Sequence, residues 1–207
     1  MISFAAQAIP SPSNLREGQG EGRFVFLILL ALVSGCTTHV IPPSNPTLPV
    51  TVYLTDYGKH SSLLLPSNSG GYDEYAFGDW DYFALGHTNL FVTIRAMISS
   101  PQASFGRRHV DAQPSELQQK IGAKRLMQFD VSREKADSLS HSLDARFHRA
   151  TTQPFYSDYS QLYQVRDPKH YWVLHNCNNE TADWLRKLDC RIDGTALFSS
   201  FLVTQQK

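Results

Sequence analysis

Clustered basic charge, paired cysteines and an apolar run of membrane-spanning length are all missing from this chain of 207 residues. Its 19 Lys and Arg are scattered and balanced by 19 Asp and Glu, leaving no formal net charge. Phosphate-directed nucleic-acid binding needs grouped cations, so that class is excluded. Three cysteines are too few for a disulfide scaffold, and no two of them stand at zinc-ribbon spacing. Disorder is excluded as well, because 42% of the residues are hydrophobic and 12% aromatic, enough for one domain with a real core.

The apolar run that is present, residues 24–33 (FVFLILLALV), falls well short of the roughly 20 residues a bilayer requires. Arg23 precedes it and Ser34-Gly35-Cys36 follow, the layout of a secretory signal peptide. The ending Val33-Ser34-Gly35-Cys36 is also similar to a bacterial lipobox, in which the cysteine is diacylated and becomes the new first residue. Met1 to Gly22 is polar and long for an n-region, which leaves open a translation start further in. The expected organisation is a signal segment over 1–35, a lipidated Cys36 with a proline-rich tether over 36–49, and a domain over 50–207. Removing 1–35 takes away Arg16, Arg23, Glu17 and Glu21, so the remainder stays neutral and membrane attachment would come from acyl chains. Thr37 after the cysteine favours an outer-membrane anchor on the periplasmic face.

Residues 50–54, 60–65 and 72–77 read as strands, separated by a turn at Tyr57-Gly58-Lys59 and a loop at 67–71. Leu90, Ile94, Met97 and Ile98 fall on one helical face before Pro101. A short strand over 104–110, a helix opening at Pro114 and a strand over 125–131 follow. Ala136, Leu139, Leu143 and Phe147 form an apolar stripe with Ser132 as its cap, and a last helix begins at Asn176-Cys177. The lack of regular βαβ alternation makes the fold class α+β.

The last helix carries most of the chemistry. Cys177 shares a face with Thr181, Trp184, Leu185 and Leu188, and Asn176 is a good N-cap. The helix dipole and unpaired amides there are expected to lower the thiol pKa, while Cys190 keeps an ordinary one. A free cysteine is more often a small buried hydrophobe, and that reading stands beside the nucleophile. A nucleophilic thiol needs a base and a group to orient it. His60 at a strand start is the candidate base, Glu74 on the next strand the candidate orienting carboxylate and Asp79 the competing acid, while taken singly they read as a surface or capped histidine, an exposed strand carboxylate and a turn residue.

Taken together, His60 on a strand, an acid on the following strand and Asn176-Cys177 opening a late helix resemble the circularly permuted papain fold of NlpC-like and lecithin:retinol acyltransferase-like proteins. More narrowly, the chain is similar to a bacterial lipoprotein family known as domain of unknown function 2459. That family typically reads Gly-Trp-His, an apolar strand ending in Pro, Glu-x-Gly-Trp-Gly-Asp, then Asn-Cys-Asn-Thr-Trp-Thr. Here the matching positions are Gly58-Lys59-His60 through Pro66, Glu74 through Gly78-Asp79, and Asn176 through Thr181, with departures at Lys59, Ala76, Phe77, Asn179 and Glu180.

The resemblance implies a small antiparallel sheet packed on helices and a cysteine hydrolase or acyltransferase with a Cys177-His60-Glu74 triad. The expected oxyanion donors are the Cys177 amide and a tyrosine of the 156–163 region. The substrate would be an amide or ester, either cell-wall peptide or a lipid acyl group, and no cofactor is implied. A non-catalytic binding or scaffold lipoprotein of the same fold is the alternative. Metal binding is set aside, because His175-x-Cys177 supplies two ligands where a structural zinc site takes four.

Overall fold

A computed structural model describes residues 37–58, 60–89, 100, 102–172, 174–196 and 200–204. Cys36, the apolar run before it and the expected helix over 90–98 lie outside the described residues.

Strands β2 (Pro49–Asp56), β3 (Ser61–Pro66), β4 (Tyr72–Asp79), β5 (Ala103–Val110), β6 (Arg125–Ser132), β7 (Phe155–Ser157) and β8 (Leu162–Asp167) form one antiparallel sheet in the order β6-β2-β3-β4-β5-β8-β7. The fold is therefore α+β, with a sheet of seven strands rather than the small one expected. The difference arises in the tyrosine-rich stretch, which pairs with itself as the β7–β8 hairpin and extends the edge beyond β5.

Both faces of the central strands are covered, which is why their apolar runs are continuous instead of alternating with polar residues. Leu63, Leu65, Tyr75 and Phe77 face helices α2 (Arg133–His148) and α3 (Cys177–Lys187), packing with Leu139, Leu143, Phe147, Trp184 and Leu185. Tyr53 and Leu64 point the other way, onto Leu117 and Ile121 of α1 (Pro114–Ile121). Pro114 sits in the first turn of α1, where a missing N–H costs nothing, and Gly122 ends the helix at φ 72°, a conformation open to glycine.

A second, three-stranded sheet joins β1 (Thr38–Ile41) in parallel to β10 (Phe201–Val203) and antiparallel to β9 (Arg191–Asp193). This corrects the tether expected over these residues: Thr38 and Val40 are fully buried. Alternation of β-branched residues gave β1 an inward face, and sheet pairing satisfies its backbone.

Candidate functional site

Cys177 opens α3 where the start of β3 comes in. The Asn176 side chain accepts from the amides of Asn178 (2.9 Å) and Asn179 (3.1 Å), which fixes the first turn. Asn178 Oδ1 faces back and takes the Ser61 hydroxyl at 3.1 Å, joining the helix start to β3. The same oxygen lies 3.6 Å from Cys177 Sγ and accepts the resting thiol proton.

The sulfur is surrounded by donors. The Tyr171 hydroxyl points at it from 3.9 Å. The amides of Ser61, Asn178 and Cys177 itself are also directed at it. Each favours a thiolate, as expected at a helix start. Cys177 is nevertheless only 4% exposed, and burial pushes its pKa above the ordinary thiol value. The expected depression is thereby corrected: losing water on all sides outweighs the four donors. Cys190 departs from its expected ordinary pKa as well, being pushed up to about 12 by burial and then by the charge of Asp189. It lies beyond the end of α3, and both thiols are free.

His60 enters β3 immediately before Ser61. Its ring stacks on Phe83 with centroids 4.1 Å apart. Phe83 belongs to a π-helical turn, Trp80–Ala84, and lies flat over Gly78, where a Cβ would come within 2.6 Å of its ring. Glycine is needed there for that close approach. Burial holds the His60 pKa down to about 3, so the imidazole is neutral. Its Nε2 is buried and has no hydrogen-bond partner among the described residues.

Glu74 is on β4 as expected and pairs with Leu64, four residues along β3 from His60, and the side chains of Glu74 and His60 line one cavity without bonding to each other. Its carboxylate receives the Tyr57 hydroxyl and Arg108 Nε, both at 2.6 Å, and the Ser62 hydroxyl. No hydrogen bond joins His60 to Glu74 or to Cys177 among the described residues. Asp79, the competing acid, ends β4 and caps the π-helical turn through Oδ1, which accepts from the Tyr82 amide at 2.7 Å. Its Oδ2 is buried without a partner among the described residues, and its charge reaches Tyr171.

The structure therefore gathers Cys177, Ser61, Asn178, Tyr171 and Asp79, and separates Glu74 from them. Tyr171 was missed in favour of the 156–163 region, whose Tyr156, Tyr159 and Tyr163 are about half exposed and make no hydrogen bond to the sulfur. Its place six residues before Cys177 was the one available signal. Burial, and then the neighbouring thiol, raises the Tyr171 pKa well above the usual phenol value, so its O–H remains a donor.

Glu180, one turn into α3, is also buried. Burial would raise its pKa, but Arg146 and Lys169 hold it below the ordinary carboxylate range. Lys169 Nζ lies 2.8 Å away, Arg146 Nη1 also pairs with it, and Arg146 Nε reaches Asp167 at 2.6 Å. This network fastens the first turns of α3 to α2 and β8. Among the described residues, no group of three or more His, Cys, Asp or Glu is arranged to hold a metal ion.

No family model, curated protein or solved structure matches this chain.

Proposed function

We propose that the chain is a lipid-anchored protein of the bacterial cell envelope, of permuted papain-like architecture, that acts as a thiol-dependent hydrolase or acyltransferase on an amide or ester. The observation that carries this reading is the convergence of three backbone amides and the Tyr171 hydroxyl on Cys177 Sγ at a capped helix start. An ordinary buried cysteine has no use for four hydrogen-bond donors, whereas a sulfur that must become a thiolate does.

In the reaction, His60 Nε2 takes the thiol proton and Cys177 attacks the carbonyl carbon. The oxyanion accepts from the Cys177 amide and Tyr171. Collapse expels the leaving group with the proton from His60, and water or a second acceptor then takes the acyl group from sulfur. Ser61, whose amide faces the sulfur, directly follows His60, and this reading requires the imidazole to leave its stack on Phe83 and swing round the start of β3 to that sulfur. Substrate entering beside Sγ supplies the occasion for the turn. Glu74, held by Arg108, positions the β3–β4 end of the sheet in this reading, and Asp79 acts behind Tyr171. Lipidation of Cys36 anchors the domain to the membrane.

Incubation with p-nitrophenyl acetate, followed by peptide mass spectrometry, tests the chemistry. The expected result is an acetyl thioester on Cys177 and none on Cys190. Equal modification of both cysteines refutes a dedicated nucleophile. The burial of Sγ favours a second reading, a non-catalytic binding or scaffold lipoprotein of the same fold, and a folded protein with no adduct selects it. Mass spectrometry of the envelope form reads acylation at Cys36 directly, and an unacylated mature protein removes the anchor.

A further inference from the structure

On the face of the large sheet away from α3, a cavity of about 390 Å³ lies behind His60. Rings of Tyr57, Tyr82, Phe83 and Tyr159 line it. Its buried charges answer one another: Arg108 holds Glu74 through Nε, and its remaining nitrogens donate to the Tyr57 hydroxyl and to the carbonyls of Ile121 and Gln161. Among the described residues of the lining, two nitrogens stand outside these pairs. One is His60 Nε2, buried without a partner. The other is the exposed ammonium of Lys124, which forms no ion pair among the described residues. Lys124 reaches the cavity by lying over Gly58, where a Cβ would fall 2.5 Å from Nζ and φ is +93°. A glycine at that turn thus makes room for a cation at the mouth of an aromatic pocket. With Glu74 and Arg108 cancelling and His60 neutral, the formal charge of the lining is +1.

We infer that this pocket binds a small monoanion with a flat apolar body, of the aryl carboxylate class, its ring between the aromatic side chains, its carboxylate on Lys124 and a polar atom on His60 Nε2. The walls supply apolar and stacking contacts to a planar ring. The single uncompensated cation among the described residues sets the preferred charge of the ligand. The cavity suits a bicyclic ring better than a long chain or a peptide. The pocket and Cys177 Sγ lie on opposite faces and share His60, so a ligand bound here holds the imidazole in the pocket and away from the thiol.

The probe is 6-hydroxy-2-naphthoate, titrated against the full chain by calorimetry, with 2-naphthol and 2-naphthylmethylamine as the neutral and cationic counterparts. The carboxylate is expected to bind saturably at one site, and the amine to bind at least about tenfold more weakly. Lys124→Ala should weaken the carboxylate by about three- to tenfold, the scale of one exposed ion pair, and leave 2-naphthol unchanged. Leu162→Trp should fill the cavity and abolish both. Tyr159→Ala, at a half-exposed side chain, provides a milder variant that should weaken both ligands without threatening the fold. Cys177→Ala should bind as the parent does, because the thiol is no part of the lining, and calorimetry therefore reads the pocket independently of thiol acylation. Absence of saturable binding, equal affinity for the amine, or a carboxylate affinity indifferent to Lys124→Ala overturns the proposal.

Discussion

Cys177 and Cys190 are both buried, both free and both held above the ordinary thiol pKa, yet their neighbours differ in kind. Around Cys177, three amides and a tyrosine O–H are aimed at the sulfur; beside Cys190 stands the negative charge of Asp189. Burial makes any thiol reluctant to ionise and therefore says little about purpose. What distinguishes the two is the response each site offers once the proton has gone: one is prepared for a negative sulfur and the other opposes it.

The largest expected difference between the two is in turnover. If an acyl-transfer substrate is found, Cys177→Ala should lower kcat by about 10³-fold or more, whereas Cys190→Ala should stay within about twofold, as measured by ester or amide hydrolysis. Loss of activity in both, or in neither, removes the distinction.

In stability, the site around Cys177 should be the more sensitive. Glu180→Ala strands Arg146 and Lys169 beside the first turns of α3 and is expected to cost about 3 kcal/mol in urea unfolding. Asp189→Asn beside Cys190 should cost little and should lower the Cys190 pKa, read by thiol labelling against pH, since a repelling charge has been removed.

Acid titration extends the comparison to the other buried group. The folded pKa of His60 is about 3, below its unfolded value of about 6.5, so the unfolded chain binds the proton first. Stability should be fully present above pH 6.5 and fall as the pH drops toward 3, at up to about 1.4 kcal/mol per unit, and His60→Phe should remove that slope. The thiols act in the opposite direction. Their raised folded pKa values mean that stability falls as the pH rises above about 9, where the unfolded chain ionises first, and Cys190→Ala should flatten part of this loss.

Smaller effects separate the two helix starts. Asn176→Ala should cost about 1 kcal/mol, because its side chain caps two amides. Ser132→Ala should cost less, because the Ser132 hydroxyl makes no cap hydrogen bond to α2. Smallest of all, Tyr171→Phe should raise the Cys177 pKa further by removing a donor and slow its alkylation, leaving Cys190 unaffected.

Much of the architecture was legible because it is local. The strands from Val50 to Phe77, the helix opening at Pro114 and the stripe from Ala136 to Phe147 all follow from side-chain period and terminal residues. The β7–β8 hairpin was not, since its tyrosines lie on a sheet edge where half-exposed aromatics give no clear alternation. Nor was β1, whose four residues sit in a proline-rich setting and are strand only because β9 and β10 arrive from the far end of the chain.

By itself, the sequence determined that Cys177 opens a capped helix and that His60 begins an apolar strand, because a cap, a period of 3.6 and a period of two are properties of neighbouring residues. Only the tertiary structure decided what surrounds them. Ser61 meets Asn178 across 117 positions, Arg108 claims Glu74 across 34, and Tyr171 turns its hydroxyl to the sulfur. Solvation and hydrogen-bond partners depend on chain that is distant in sequence. The same packing that brings four donors to Cys177 also removes its water, and so sets a pKa that no local pattern could reveal.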